Sequence, residues 1–398
     1  MTKVTERFPE KNNSNLPPIL SFFTGAGFLD LGFSLSGFPV VWRNEFCQKF
    51  VQGFEYGMAL MGRKDKINNT FSIVDIGPNQ IVKEAFNSLP RPDVFGIIGG
   101  PPCPDFSVGG KNRGYAGERG RLSLIYTNRI LELQPTFFLF ENVPGLLRTK
   151  KHRKFLTHLM FLFSKSYLLD LRLVNALDYG VPQDRERMIM VGFHKRWLLK
   201  NLEISYKKID GYNNSLISHF KDSSENLSQA WFPWSKGRKY ENVKKSFDWP
   251  DKNPFGSDVK KPKGLPEDLM VGPLICDQKV LLSLKNGDEA FVPYSDKFKI
   301  ILEGDVSRKC FKRLHRWRYS PAAAYGNNEV HLHPILPRRL SVREAMRIQT
   351  VPDSYAFPKE MSLTHKFKTI GNGVPVRLAN ALAKGFSAVL KGEINEYF

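Results

Sequence analysis

The 398-residue chain carries 59 Lys+Arg against 39 Asp+Glu, a net charge of +20, with 41% hydrophobic and 13% aromatic residues. This excludes a chain disordered throughout and allows two domains, or one large domain carrying an insertion. The charge favours a polyanionic partner, although a basic balance alone does not demand one.

No apolar run approaches the roughly 18 residues of a membrane span, and Met1 to Pro18 lacks the apolar core of a signal peptide, so a cytoplasmic location is expected. Four cysteines, Cys47, Cys103, Cys276 and Cys310, stand far apart with no CxxC pair, which argues against zinc and a disulfide framework.

In chain order, Ile19 to Phe23 reads as a first strand, followed at once by Thr24-Gly25-Ala26-Gly27-Phe28. Glycines there let backbone approach a ligand and expose amides at the next helix start, although a plain turn explains a lone GxG equally well. A second strand, Val40 to Trp42, ends near Glu45, 20 positions after Gly25 (45 − 25), where nucleotide-type folds place an acid for ribose hydroxyls. A solvated carboxylate at a helix start is the competing account of Glu45, and a core ring that of Phe46. Phe71 to Ile76 repeats the pattern of an apolar strand ending in an acid and is expected to be a third strand.

Val94 to Ile98 reads as a fourth, buried strand leading into Gly99-Gly100-Pro101-Pro102-Cys103-Pro104-Asp105-Phe106-Ser107. Pro102 and Pro104 restrict the backbone on both sides of Cys103, setting one thiol at the carboxyl edge of the sheet, where open α/β folds bind ligands. A small buried turn cysteine is the blander alternative; the flanking residues favour a nucleophile. Val108 to Arg121, with five glycines and four basic residues, suits a mobile cationic lid.

Leu122 to Leu133 has helical spacing, stopped by Pro135. Thr136 to Phe140 is expected to be a fifth strand, delivering Glu141-Asn142-Val143-Pro144 to the same sheet edge. The charge run 148–154 starts a helix, and Tyr167 to Val174 and Met188 to Phe193 read as further strands. Between them lies Gln183-Asp184-Arg185-Glu186-Arg187, whose two arginines share a side if the stretch is extended, surface salt bridging being the alternative.

From about 195 to 336 regular alternation fades. Within it, basic and aromatic residues interleave from Arg308 to Arg318, which suits phosphate contact; an exposed basic helix without a ligand is the alternative. Ser341 with Glu344 forms an expected capping box, and Ile370-Gly371-Asn372-Gly373-Val374-Pro375 opens a last helix.

These pieces, in this order, resemble the DNA (cytosine-5)-methyltransferases of bacterial restriction–modification systems. The resemblance rests on Phe23 to Gly27, Glu45, Asp75-Ile76, Pro102 to Ser107, Glu141-Asn142-Val143, Gln183 to Arg187, Arg339 through Asp353, and Gly371 to Pro375. It covers roughly 1–195 and 338–398 and leaves 196–337 without family motifs. Two departures stand out: Phe28 where a second adjacent glycine is usual, and Gly373 where a small hydroxyl residue or alanine is frequent.

The resemblance implies an α/β fold, a Rossmann-like S-adenosylmethionine-dependent methyltransferase sheet with helices on both faces, plus a smaller irregular target-recognition domain. Domains are expected at 1–195 (catalytic and cofactor-binding), 196–337 (target recognition) and 338–398 (a segment completing the catalytic domain). It implies S-adenosylmethionine as cofactor, lined by Phe23, Gly25, Gly27, Pro102 and Leu122, with Glu45 on the ribose and Phe46 on the adenine face. Asp75 and Ile76 read the adenine edge; Asn372 and Val374 close the methionine side.

Catalysis is implied to rest on Cys103 adding to cytosine C6, Glu141 at ring N3, Asn142 shaping its turn, Arg187 at O2 and Arg185 supporting neighbouring backbone. Ser107, Lys111 and Arg113 are expected at DNA, and Arg313, Arg316 and Arg318 on phosphates. Double-stranded DNA with base flipping, a partner endonuclease and a monomer follow from the same resemblance. A tRNA cytosine-5 methyltransferase shares the chemistry, and an inactive DNA-binding regulator shares the fold. An amino-methyltransferase is disfavoured because its (Asp/Asn)-Pro-Pro-aromatic motif is replaced by Pro-Pro-Cys.

Overall fold

The computed structural model describes residues 15–87, 90–102, 118–323, 325 and 329–395, with backbone alone at 118–119. Its frame is a six-stranded sheet in the order β2-β1-β3-β4-β7-β5. The strands are β1 (Ile19–Phe22), β2 (Val40–Asn44), β3 (Gly96–Gly99), β4 (Phe137–Asn142), β5 (Tyr167–Asn175) and β7 (Glu186–His194). β1 pairs in parallel with β2 and β3, and β3 with β4; β7 runs antiparallel between β4 and β5. β6 (Gln183–Asp184) instead pairs in parallel with β8 (Ser320–Pro321), tying the 320s to the Gln183–Arg187 motif.

β4 shows why its sequence is an unbroken apolar run. Phe137 and Leu139 enter one buried cluster with Phe33 and Phe386; Phe138 and Phe140 enter another with Met160 and Phe163. A strand covered on both faces has no polar side to alternate with. The first face is covered by α1 (Phe28–Leu35) and α15 (Val376–Leu390); the second by α4 (Glu118–Leu133), α6 (Lys150–Ser164) and α8 (Tyr206–Asp222). The remaining helices of this part are α2 (Gln48–Leu60), α3 (Pro78–Phe86), α5 (Gly145–Arg148), α7 (Lys195–Leu202), α13 (Val342–Ile348) and α14 (Leu363–Asn372). The capping box of α13 forms, with Ser341 and Glu344 bonding each other's backbone amides.

Three expectations are corrected. Phe71 to Ile76 is not a strand. Asn44 Nδ2 donates to the carbonyls of Asn69 and Phe71, and Asp75 N to Ser72 O, so the segment is a turn whose backbone bonds a side chain and itself. Ile73 and Ile76 point inward at a spacing of three while Phe71 and Val74 are exposed, which a strand's period of two cannot do. Second, the last four residues of the expected lid, 118–121, are helical and open α4. Third, 308–318 is not a helix, and its Arg313, Arg316 and Arg318 do not form a free cationic surface.

That stretch lies in a region of short helices, α9 (Val243–Ser246), α10 (Gly272–Ile275), α11 (Gln278–Leu282) and α12 (Lys297–Ile300), with little other regular structure. Irregular backbone leaves carbonyls that no ladder satisfies, and buried carbonyls need donors. Arg313 supplies them: fully buried, it donates to the carbonyls of Ile301, His333, Leu336 and Phe298. Arg316 pairs with buried Glu303 (Nη2–Oε2 2.7 Å) and donates to Ser257 O. Arg318 reaches Pro250 O at 3.4 Å and packs over Tyr319. The sequence of α8 and the Ala230–Trp234 stretch, beyond the expected boundary at 196, packs into the sheet's own clusters.

Candidate active site

Cys103, Ser107, Lys111 and Arg113, with the rest of the expected lid to residue 117, lie outside the described residues. The segment leading to the cysteine is described as far as Pro102, and its neighbours are informative. β3 and β4 run side by side, with Gly99 opposite Phe140, so Gly100–Pro102 and Glu141–Asn142 leave the same sheet edge together. A Cβ added to Gly100 would lie 2.6 Å from Glu141 Oε2, so only glycine lets this backbone approach the carboxylate so closely. Asn142 Nδ2 reaches Pro101 O at 3.4 Å, while its Oδ1 accepts from Val143 N at 2.8 Å, shaping the turn after β4.

From the other side, β7 sets Asn142 opposite Met188, and Arg187 Nε reaches Glu141 Oε1 at 2.8 Å. Both side chains are about one-tenth exposed (13% and 11%), so the pair is screened from bulk water but open to a substrate. Arg185 differs: it is wholly buried and donates to the carbonyls of Ala323, Gly371 and Gly373. It clamps the C-terminal segment onto β6–β7. One pair the sequence reading missed is Arg148 and Glu186, a two-pronged bridge (2.8 and 3.1 Å) beside Arg187; no motif spacing announces a contact 38 residues apart.

At the ends of β1 and β2 a second set of candidates converges. Phe23 has φ 55°, a left-handed conformation uncommon outside glycine, and its ring meets Tyr126 edge-on at 5.8 Å. Gly25 and Gly27 continue the positive-φ turn into α1. Glu45 is buried; its Oε2 accepts from Gly25 N and its Oε1 from Cys47 N, each at 2.8 Å. Burial raises its carboxyl above the ordinary value, and the two amides only partly offset this. Phe46 beside it presents a ring that is 69% exposed, with Phe71 exposed nearby in the chain's fold against Asn44.

Asp75 is exposed and Ile76 buried, their turn held by Arg129 Nε on Ile76 O at 2.7 Å. Leu122 packs with Phe23 on the second-face cluster, Pro102 is exposed, and Asn372 is exposed at the end of α14, with Val374 buried after it. These residues fit a nucleoside cofactor: a dry acceptor for hydroxyls, an exposed ring, and the buried Thr369 Oγ1, which lacks a hydrogen-bond partner and lies 3.8 Å from a Cβ placed on Gly25.

A mostly parallel α/β sheet with a glycine turn, an acid after β2 and a charged pair at one edge defines a nucleotide-cofactor enzyme of doubly wound type. The comparisons narrow this. Residues 18–388 match the C-5 cytosine-specific DNA methylase family, and the chain belongs to it. The Type II methyltransferase M.NmeDI of Neisseria meningitidis serogroup C is 39% identical, over 96% of this chain and 84% of that protein. M.FnuDI of Fusobacterium nucleatum is 30% identical, over 94% of each. A crystal structure described as a prophage-encoded DNA modification methyltransferase of E. coli superposes with TM-score 0.62 at 23% identity, covering 94% of this chain and all of that one; it shows the shared fold. No helix among the described residues is long and apolar enough to cross a membrane.

Proposed function

We propose that the protein is the modification enzyme of a restriction–modification system, methylating C5 of one cytosine in a specific duplex sequence through a covalent intermediate on Cys103. The observation that carries this reading is the Glu141 carboxylate, held between Arg187 and Gly100 three residues before the cysteine. Cytosine C5 is too poor a nucleophile to be methylated directly. Addition of the Cys103 thiolate at C6, with a proton delivered at N3, moves electron density to C5; after methylation, loss of the C5 proton expels the thiolate.

Each residue follows from the charge at each atom. Glu141 faces N3 and carries the proton; Arg187 orients Glu141 and contacts O2. Asn142 fixes the turn that holds both. Arg185, having given its donors to backbone, is a positioning residue rather than a contact to substrate. S-adenosylmethionine, when bound, supplies the methyl group. Glu45 takes its ribose hydroxyls, Phe46 its adenine face, Asp75 and Ile76 the adenine edge, and Asn372, Val374 and Thr369 flank the methionine end. The target must leave the helix stack, at a cost of roughly a few kcal/mol.

Labelled methyl donor is offered to duplex DNA and to tRNA; label should enter DNA only. Duplex containing 5-fluorocytosine at the mapped target should trap the enzyme, because fluorine cannot leave as a proton does. Mass spectrometry should place the adduct on Cys103, and Cys103→Ala should abolish methylation while cofactor binding persists. An adduct on Cys47, Cys276 or Cys310 refutes the assignment.

A further inference from the structure

Arg313 and Arg316 are spent on internal carbonyls and Glu303, and Arg318 reaches Pro250 O, so the grip on the DNA backbone needs cations beyond these three. At the carboxyl edge of the sheet, beside the terminal strand β5, lies a cavity of about 290 Å³. None of its described lining residues belongs to the cofactor set or to the Glu141–Arg187 pair. We propose that this cavity receives a backbone phosphodiester of the DNA strand carrying the target cytosine. The proposal rests on the DNA methylation reading above and adds to it a site for the strand.

Register places the cavity next to the chemistry. β5 pairs Val174 with Arg187 and Asn175 with Glu186, and Arg187 contacts Glu141. Two strand spacings, about 10 Å, therefore separate the β5 wall from the strand bearing the catalytic carboxylate. The charge balance of the walls is cationic. Arg172, Arg238, Lys244 and Lys245 face Asp178 and Glu186, and Glu186 is already occupied by the two-pronged bridge from Arg148.

Two of these cations form no direct ion pair. Among the described residues no carboxylate lies within ion-pair distance of Arg172 or Lys245, whereas Lys244 leans on Asp184 at 3.3 Å and Arg238 on Asp178 at 3.7 Å. The Arg172 guanidinium lies 5.9 Å from the Trp234 ring centre, and its Nη2 donates to Leu227 O at 3.4 Å, which leaves its other donors for an anion. A guanidinium fork with a lysine in the same lining is suited to a phosphate oxygen pair.

The test uses the full-length protein and duplexes carrying the mapped target, each with a single neutral methylphosphonate at one linkage. For the wild type, one linkage beside the target cytosine should weaken binding about tenfold, the others much less. Arg172→Gln should weaken binding to the unmodified duplex by a similar factor and lose nothing more on that modified duplex. Lys245→Gln, an exposed change that the fold tolerates, should show the same non-additivity with a smaller loss. Each variant should flatten the log K against log salt slope by ~0.9. Losses that simply multiply between protein and DNA changes overturn the cavity assignment while leaving the reaction intact. A wild type that methylates no duplex DNA overturns both.

Discussion

Phe28 and Gly373, the two places where the sequence departs from its family's pattern, touch each other. A Cβ placed on Gly373 would lie 2.5 Å from Phe28 Cδ2 and 3.2 Å from Cε2, so the aromatic ring occupies the room a side chain at 373 would need. Gly373 has φ −65° and ψ 146°, values any residue adopts, so the cost of filling it is steric alone. The ring has little freedom to yield. Phe28 is 1% exposed and meets Tyr355 edge-on at 5.7 Å, and the Tyr355 hydroxyl is held by the carbonyls of Ala26 and Gly53. Gly373→Ala should therefore cost about 1–3 kcal/mol by overpacking. Phe28→Gly should cost roughly 3–5 kcal/mol, the loss of a buried aromatic. In the double variant the new methyl enters vacated space, and the cost of Gly373→Ala should fall by at least ~1 kcal/mol. Urea denaturation of the four proteins measures the coupling, and cofactor titration reports whether the neighbouring Asn372 and Val374 have moved. Gly373→Ala costing the same with and without Phe28, or nothing at all, would sink the idea that the departures compensate each other.

Two further outcomes are expected. Arg313→Gln strips donors from four buried carbonyls and should destabilise the protein by roughly 3 kcal/mol or more, while the salt dependence of DNA binding by the folded protein stays unchanged; a stable variant with a flattened slope would restore this arginine to the DNA interface. Asp170, buried in β5 and accepting from Leu171 N, Phe232 N and Trp234 Nε1, is pushed up by burial to about 6. Its native form thus holds a proton more tightly than the unfolded chain, whose carboxyl titrates near ~3.9. The stability it contributes is present below pH ~4 and lost as pH rises through about 6, some ~3 kcal/mol by linkage. Urea midpoints from pH 4 to 7 should show that decline in the wild type and not in Asp170→Asn; parallel profiles would refute it.

The Arg313 result bears on how the charge of this chain should be read. Arg185, Arg313, Arg339 and Arg343 are fully buried, and each donates to main-chain carbonyls. Part of the +20 net charge therefore serves as internal hydrogen-bond donors for irregular backbone, not as a footprint for polyanion. Basic and aromatic interleaving at 308–318 was a sound motif for phosphate contact, but a string of residues does not say whether its arginines face in or out.

The sheet strands other than the expected third, the helix after the cysteine loop and the capping box at Ser341 were legible in the sequence because each rests on local chemistry: apolar runs of strand length, proline stops, and a serine three residues before a glutamate. The sequence also singled out Glu45, Glu141 and Arg187 through the motifs of the family resemblance, and the structure brings Glu141 and Arg187 together and buries Glu45 beside Gly25. Phe71 to Ile76 misled because inward isoleucines three apart, in a turn held by the Asn44 side chain, share a composition with a strand. Only the tertiary structure could decide that Arg187 reaches Glu141, that Phe28 fills the space over Gly373, that Arg148 grips Glu186 and that Arg313 and Arg316 turn inward. Each of these joins residues from tens to hundreds of positions apart. Local pattern fixes which backbone shape a segment takes, whereas the partner of a charge or a ring depends on which segments pack against it.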